Sequence, residues 1–130
     1  MHPTPDERAI VGGGRSIAGL DMVIAIVDIK SSLEKREELR RALCSLLGQT
    51  EAERGCTSCQ LYQQVPDSGV LRIESRWIAA SDLLRHIRSD SYKRMLLLME
   101  LGVEPPSVEF YMVSAFRSLD LIYEARERSD

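Results

Sequence analysis

The sequence predicts an α+β domain of ferredoxin-like plan, βαββαβ with an antiparallel sheet. Three observations carry that expectation. Four β-like stretches, Leu20 to Ile29, Cys56 to Val65, Val70 to Ile78 and Val108 to Phe116, alternate with stretches of helical spacing in the order strand, helix, two strands, helices, strand. The two middle strands are joined by Pro66-Asp67-Ser68-Gly69, a turn in which Pro presets φ and Gly supplies a positive φ on exit, giving an antiparallel hairpin. The first strand has no polar face between Met22 and Val27, so both of its sides need cover.

Taken in order, residues 1–19 read as a flexible arm, because Pro3, Pro5 and Gly12-Gly13-Gly14 resist regular structure. The domain is expected over 20–127, with a polar tail at 128–130. After the first strand, Ser31, Ser32 and Glu34 form a capping-box pattern that predicts a helix from Leu33 to Leu47. Leu39, Ala42, Leu43, Leu46 and Leu47 form its inner stripe, and Gly48 is a plausible stop, with a further turn before Gly55. In the second strand Cys59, Leu61, Gln63 and Val65 point one way and Ser58, Gln60, Tyr62 and Gln64 the other. In the third, Leu71, Ile73, Ser75 and Trp77 share a face opposite Arg72, Glu74 and Arg76.

Ser81 is expected to cap a short helix whose inward set is Leu83, Leu84 and Ile87. Ser89 or Asp90 caps the next. That helix carries one stripe of Tyr92, Met95, Leu96 and Met99 and a second of Leu97, Leu98 and Leu101, and Gly102 ends it. Pro105-Pro106 breaks the chain before the last strand, and Leu119 to Arg126 has the spacing of a short terminal helix. Two apolar faces on one helix, and a sheet with helices on one side only, predict a second subunit over the open face.

Composition narrows the function classes. A net charge of -3, with Arg spread along the chain and no basic run with aromatics, predicts no nucleic-acid partner. No apolar run is long enough for a membrane span, and Asp6, Glu7 and Arg8 stand where a signal peptide needs its apolar core, so a cytoplasmic protein is expected. Three cysteines then read as reduced thiols. Cys56-Thr57-Ser58-Cys59 sits at a strand start and lacks the further ligands zinc needs, so no metal is expected there.

Between about Met22 and Arg126 the chain resembles the antibiotic biosynthesis monooxygenase domain family, of the quinol monooxygenase type. The resemblance is carried by MVIAIVDIK, EELRRAL, GCTSCQLYQQVPD, IESRW, LLRHIRSDSYKRMLLLMEL, EPPSVEFYMVS and LDLIYEAR in that order and spacing. It implies a homodimer in which two ferredoxin-like sheets pack face to face as a dimeric α+β barrel. It also implies cofactor-independent oxygenation of a small quinol or polyphenolic aromatic, the alternative being a non-catalytic module that binds a small aromatic or quinone-like ligand. The family's pocket Trp and helix His fall on Trp77 and His86. Ile73 stands where cofactor-free members carry an Asn. Ser91 stands where many relatives carry a second His. The chain contains no Asn, which argues against the haem-degrading branch of the family.

The chemistry of the residues fits that implication. An indole such as Trp77 can stack on a flat substrate, and a neutral imidazole such as His86 can accept a phenolic proton. His86 is therefore the candidate catalytic residue. Trp77, Tyr92, Tyr62 and Arg76 are the candidate substrate-binding residues, the tyrosines as hydroxyl partners and Arg76 as the holder of an anionic oxygen. The same pattern also suits a core Trp and a structural His bonded to a backbone carbonyl.

Overall fold

The computed structural model describes residues 22–128. The expected arm at 1–19, the start of the first strand at Leu20 and the end of the polar tail lie outside them. The elements are β1 (Met22–Lys30), α1 (Arg36–Glu51), β2 (Cys56–Gln63), β3 (Val70–Trp77), α2 (Ala80–Ile87), α3 (Asp90–Met99), β4 (Ser107–Val113) and α4 (Leu119–Glu127). The sheet order is β2-β3-β1-β4 with every neighbouring pair antiparallel, the ferredoxin-like βαββαβ arrangement that the element order predicts.

Helices α1, α2 and α3 pack on one face of the sheet. Alternation along β1 sends Val23, Ala25, Val27 and Ile29 into the core, while Met22, Ile24, Ile26 and Asp28 lie half-buried on the other face. Along β3, Leu71, Ile73, Ser75 and Trp77 are buried, as the two-residue period requires. These meet Leu39, Leu43 and Leu46 of α1 and Tyr92, Met95 and Met99 of α3 in one cluster, beside a smaller group of Val23, Ala25, Trp77 and Leu83. The opposite face of the sheet is polar at β3, where Arg72 makes a two-pronged pair with Asp28 at 2.8 and 2.9 Å.

Several local expectations change. Helix α1 begins at Arg36, because Ser31 is buried and spends its hydroxyl on the Gly69 carbonyl (3.1 Å) rather than on a cap, while Ser32 accepts from the Lys35 amide. Gly48 does not stop the helix. Thr50 is buried beyond it, the helix runs on to Glu51, and Gly55, with φ +86°, closes the turn into β2. Ser81 lies inside the first turn of α2, after an Ala79 N-cap position with no side-chain bond. The inward face of α2 is Leu83, His86 and Ile87, the i, i+3, i+4 set, whereas Leu84 is exposed. In α3, Ser89 is the N-cap, accepting from the Tyr92 amide at 3.2 Å; Leu96 is exposed with Leu97 and Leu101, and Leu98 packs at the core edge. Both β2 and β4 end earlier than their patterning suggests, at Gln63 and Val113.

The β4 edge differs from the rest of the sheet. Register places Val108, Phe110 and Met112 beside Val27, Ala25 and Val23, on the helix side, yet the helices lie over the other three strands and all three side chains are exposed. Helix α4 has no buried residue. Its start is held by Arg117, which bonds Asp120 at 2.7 Å and Glu124 at 2.6 Å.

Candidate functional site

Three rings stack where β3 ends. Trp77 is the last residue of β3 and is fully buried, its indole Nε1 donating to Ser75 Oγ at 2.9 Å. His86 comes from the penultimate position of α2 and lies against it, ring centroids 4.6 Å apart and planes 27° from parallel. Tyr92, in the first turn of α3, meets the imidazole in a T-shaped contact, with ring centroids 5.1 Å apart and planes at 84°. Three of the five sequence-predicted residues, Trp77, His86 and Tyr92, are therefore brought together. All are buried, so each rotamer is held by packing rather than by solvent.

The partner of His86 is a carboxylate, not the backbone carbonyl of the alternative reading. Nδ1 lies 3.0 Å from both Glu53 oxygens. Glu53 belongs to the turn between α1 and β2, and that turn is pinned: its amide donates to the Thr50 carbonyl at 3.0 Å and its own carbonyl accepts from Cys56 at 3.1 Å. Ser91 Oγ donates to Glu53 Oε2 at 3.0 Å, with Ser89 Oγ 3.0 Å beyond it. Burial alone raises the Tyr92 phenol above its ordinary value, which keeps it a neutral hydroxyl at physiological pH. The Cys59 thiol is pushed up to about 12, chiefly by burial.

A cavity of about 20 Å³ lies beneath these rings, lined in part by Thr50, Cys59, Ser75, His86, Tyr92 and Phe110. That is room for about one water-sized group; an aromatic ring needs a space nearer ~150 Å³. Of the described residues lining the cavity, Phe110 alone is exposed, at 40%. It stands on the uncovered helix side of β4, where the cavity lining reaches solvent.

Tyr62 and Arg76 lie on the opposite face of the sheet. Tyr62 helps line an open depression of about 500 Å³ with Asp28, Arg72 and Glu74, whose charges are already committed within the protein: Arg72 to Asp28, and Glu74 to Arg76 at 3.2 Å. The two faces are separated by the sheet itself, so within one subunit these two residues do not join Trp77, His86 and Tyr92. Larger volume does not make the depression the better site, because a ligand there would have to break ion pairs, whereas the small cavity is bordered by an imidazole and a phenol. Among the described residues no cluster of three or more His, Cys, Asp or Glu could hold a metal ion, and no helix is long and apolar enough to cross a membrane.

Sequence reasoning missed Glu53, Ser75 and Phe110. Ser75 had a signal, being the one hydroxyl on an otherwise apolar strand face. Phe110 was read only as part of an alternating strand. Glu53 had none, since it sits in the polar run TEAERG where nothing marks one carboxylate from its neighbour.

The model of the family described as antibiotic biosynthesis monooxygenase matches residues 22–96, which hold β1 to most of α3 and the whole Trp77–His86–Tyr92 stack. Among solved structures, a conserved protein from Methanosarcina mazei Go1 is 25% identical, covering 72% of this chain and 94% of its own with a TM-score of 0.67. The Mycobacterium tuberculosis protein Rv0793 is 27% identical, covering 69% of this chain and 92% of its own with a TM-score of 0.64. A structure described as an antibiotic biosynthesis monooxygenase is 17% identical, with a TM-score of 0.62 over 68% of this chain and 95% of its own, a likeness of fold alone. None of the curated proteins matches the sequence.

Proposed function

The chain belongs to the antibiotic biosynthesis monooxygenase family, and from that membership we propose that it is a cofactor-independent monooxygenase acting on a small quinol or polyphenolic aromatic. The observation that carries the proposal is the placement of His86: a buried imidazole, packed against Trp77 and Tyr92, that lines a cavity between helices and sheet. In this reading a quinol hydroxyl enters the cavity and gives its proton to His86. The quinolate, electron-rich, passes one electron to dioxygen, and the radical pair combines to a carbon–oxygen bond. One oxygen atom stays on the ring, the other leaves as water, and the substrate supplies all four electrons, ending as a hydroxyquinone. The Tyr92 hydroxyl is a hydrogen-bond donor to the developing oxyanion, and Trp77 is the wall behind the imidazole. Only the reacting hydroxyl fits the cavity as it stands; the ring requires movement of Phe110.

That small volume is also the observation favouring a second reading, a binding module that takes a small aromatic or quinone-like molecule without turnover. Oxygen-electrode assays with a panel of hydroquinones and catechols separate the two. Oxygen uptake that is lost in His86→Ala supports the enzyme. Ligand-induced thermal shifts without uptake support the binding module. Tyr62 and Arg76 can serve a substrate only from the far side of the sheet, through a partner subunit.

We propose further that the polar, half-apolar sheet face is covered by a second copy of the chain, forming the dimeric barrel. Ile24 and Ile26, half-exposed at its centre, support this. Multi-angle light scattering is expected to give twice the 14.7 kDa chain mass, and Ile26→Asp to give the single mass. A wild-type protein of 14.7 kDa at micromolar concentration would overturn the assembly.

A further inference from the structure

His86 has two ring nitrogens, and among the described residues only Nδ1 has a hydrogen-bond partner. Nδ1 faces a carboxylate with both oxygens at 3.0 Å, and an ionised carboxylate can only accept. The contact is therefore a hydrogen bond only if Nδ1 carries the proton. In a neutral imidazole that leaves Nε2, on the edge away from Glu53, with its lone pair, and His86 is one of the residues that line the cavity. We propose that Glu53 is a positioning residue: it holds His86 as the Nδ1–H tautomer and so turns a hydrogen-bond acceptor, Nε2, toward whatever enters the cavity. A free imidazole favours the other tautomer, so without Glu53 the cavity would be met mainly by an N–H donor, unable to take a proton.

The surroundings of Glu53 are built to keep it in place. Its backbone is fixed on both sides by the Thr50 and Cys56 hydrogen bonds. Its Oε2 accepts from Ser91 in the first turn of α3, where the positive end of the helix favours an anion. The serine protons can be counted. The His86 carbonyl, with two lone pairs, accepts both the Ser89 amide at 2.9 Å and the Ser89 hydroxyl at 2.6 Å, while the Ser91 hydroxyl gives its proton to Glu53 at 3.0 Å. Glu53 is thus held from its backbone and its carboxylate, while the imidazole is packed against two rings. This is the logic by which a carboxylate orients a catalytic His. Its catalytic consequence rests on the proposed function; the tautomer itself does not.

The test is the pair of imidazole nitrogen resonances in uniformly ¹⁵N-labelled protein at pH 8, without any ligand. The chain has two histidines, and His2→Gln leaves the His86 signals alone. The expected wild-type pattern is a protonated, pyrrole-type Nδ1 and an unprotonated, pyridine-type Nε2. Glu53→Ala is expected to shift the population to Nε2–H, and Glu53→Gln, whose side-chain carbonyl can still accept from Nδ1, to restore the wild-type pattern. An Nε2–H tautomer in the wild type, two equivalent protonated nitrogens, or no change in Glu53→Ala would each overturn the proposal. Should Glu53→Ala fail to fold, Glu53→Gln/Ser91→Ala takes its place and is expected to show a mixture of tautomers, whereas the unaltered wild-type pattern there would overturn the proposal. With turnover in hand, Glu53→Ala is expected to lower kcat by about 10²-fold with little change in KM. A wild type with the expected tautomer and no oxygen uptake sinks the enzyme reading alone, so the two failures are distinguishable.

Discussion

His86 Nδ1 and the carboxylate of Glu53 meet at 3.0 Å although 33 residues separate them. The contact joins the turn after α1 to the end of α2, and with Ser91 it draws in the start of α3. Three separate helical segments thus converge on one imidazole, which gives the site its rigidity.

Phe110 is the wall whose removal should matter most for access. It is 40% exposed, so Phe110→Ala is expected to cost about 1 kcal/mol, well below the ~3–5 kcal/mol of a buried Phe. The gain is an open path from the β4 edge to His86. Urea denaturation measures the first effect. Binding of phenol against naphthol, followed by calorimetry, measures the second, and the variant is expected to bind the larger ring at least about tenfold tighter than wild type, worth about 1.4 kcal/mol. Unchanged preference would place the entrance elsewhere.

Gly55 sets the turn that carries Glu53. It has φ +86°, and the Asp82 carboxylate occupies the space a Cβ would take. Gly55→Ala is therefore expected to destabilise the fold by about 1–3 kcal/mol through backbone strain, with a further loss from displacing Asp82. The steric part can be separated: Asp82 Cβ itself would lie 2.5 Å from the new methyl, so Gly55→Ala should cost less in an Asp82→Gly background than in the wild type. Equal denaturation midpoints for the single variant and the wild type would show that the turn relaxes without cost.

The buried thiol and phenol predict alkaline instability. Cys59 titrates near 9.0 when unfolded and at about 12 in the fold, and burial raises Tyr92 as well. Above pH 9 the unfolded chain therefore releases protons that the native state still holds, so stability is full below about 9 and falls as pH rises toward 12. Denaturation midpoints at pH 8, 9 and 10 should decline, and decline less in Cys59→Ala. The same burial makes the thiols unequal: at pH 8 the exposed Cys44 is expected to react with a thiol reagent first, and Cys59 only on unfolding.

Much of the fold was legible because period and position coincide. Leu71, Ile73, Ser75 and Trp77 alternate along β3, and a two-residue period leaves no other way to bury Trp77. The hairpin at Pro66 to Gly69 was equally local, since Gly69 does take the positive φ at +86°. Where the reading slipped, a distant partner had intervened. Ser31 looked like a helix cap, but Gly69 from the hairpin claims its hydroxyl. Leu84 looked as inward as Leu83, until the Trp77 ring turned the face carrying His86 toward the core.

By itself the sequence determined the strand and helix order and the alternating faces of the two middle strands, because each depends on spacing along a single element or across one turn; Trp77 and His86 were paired by the family resemblance. Only the tertiary structure decided what meets the imidazole, that Tyr62 and Arg76 lie across the sheet from it, and that the cavity beneath holds only about 20 Å³. Those are properties of side chains from elements far apart in the chain. A hydrogen bond of 3.0 Å depends on how two segments pack, and nothing in the run TEAERG records where Glu53 will find its partner.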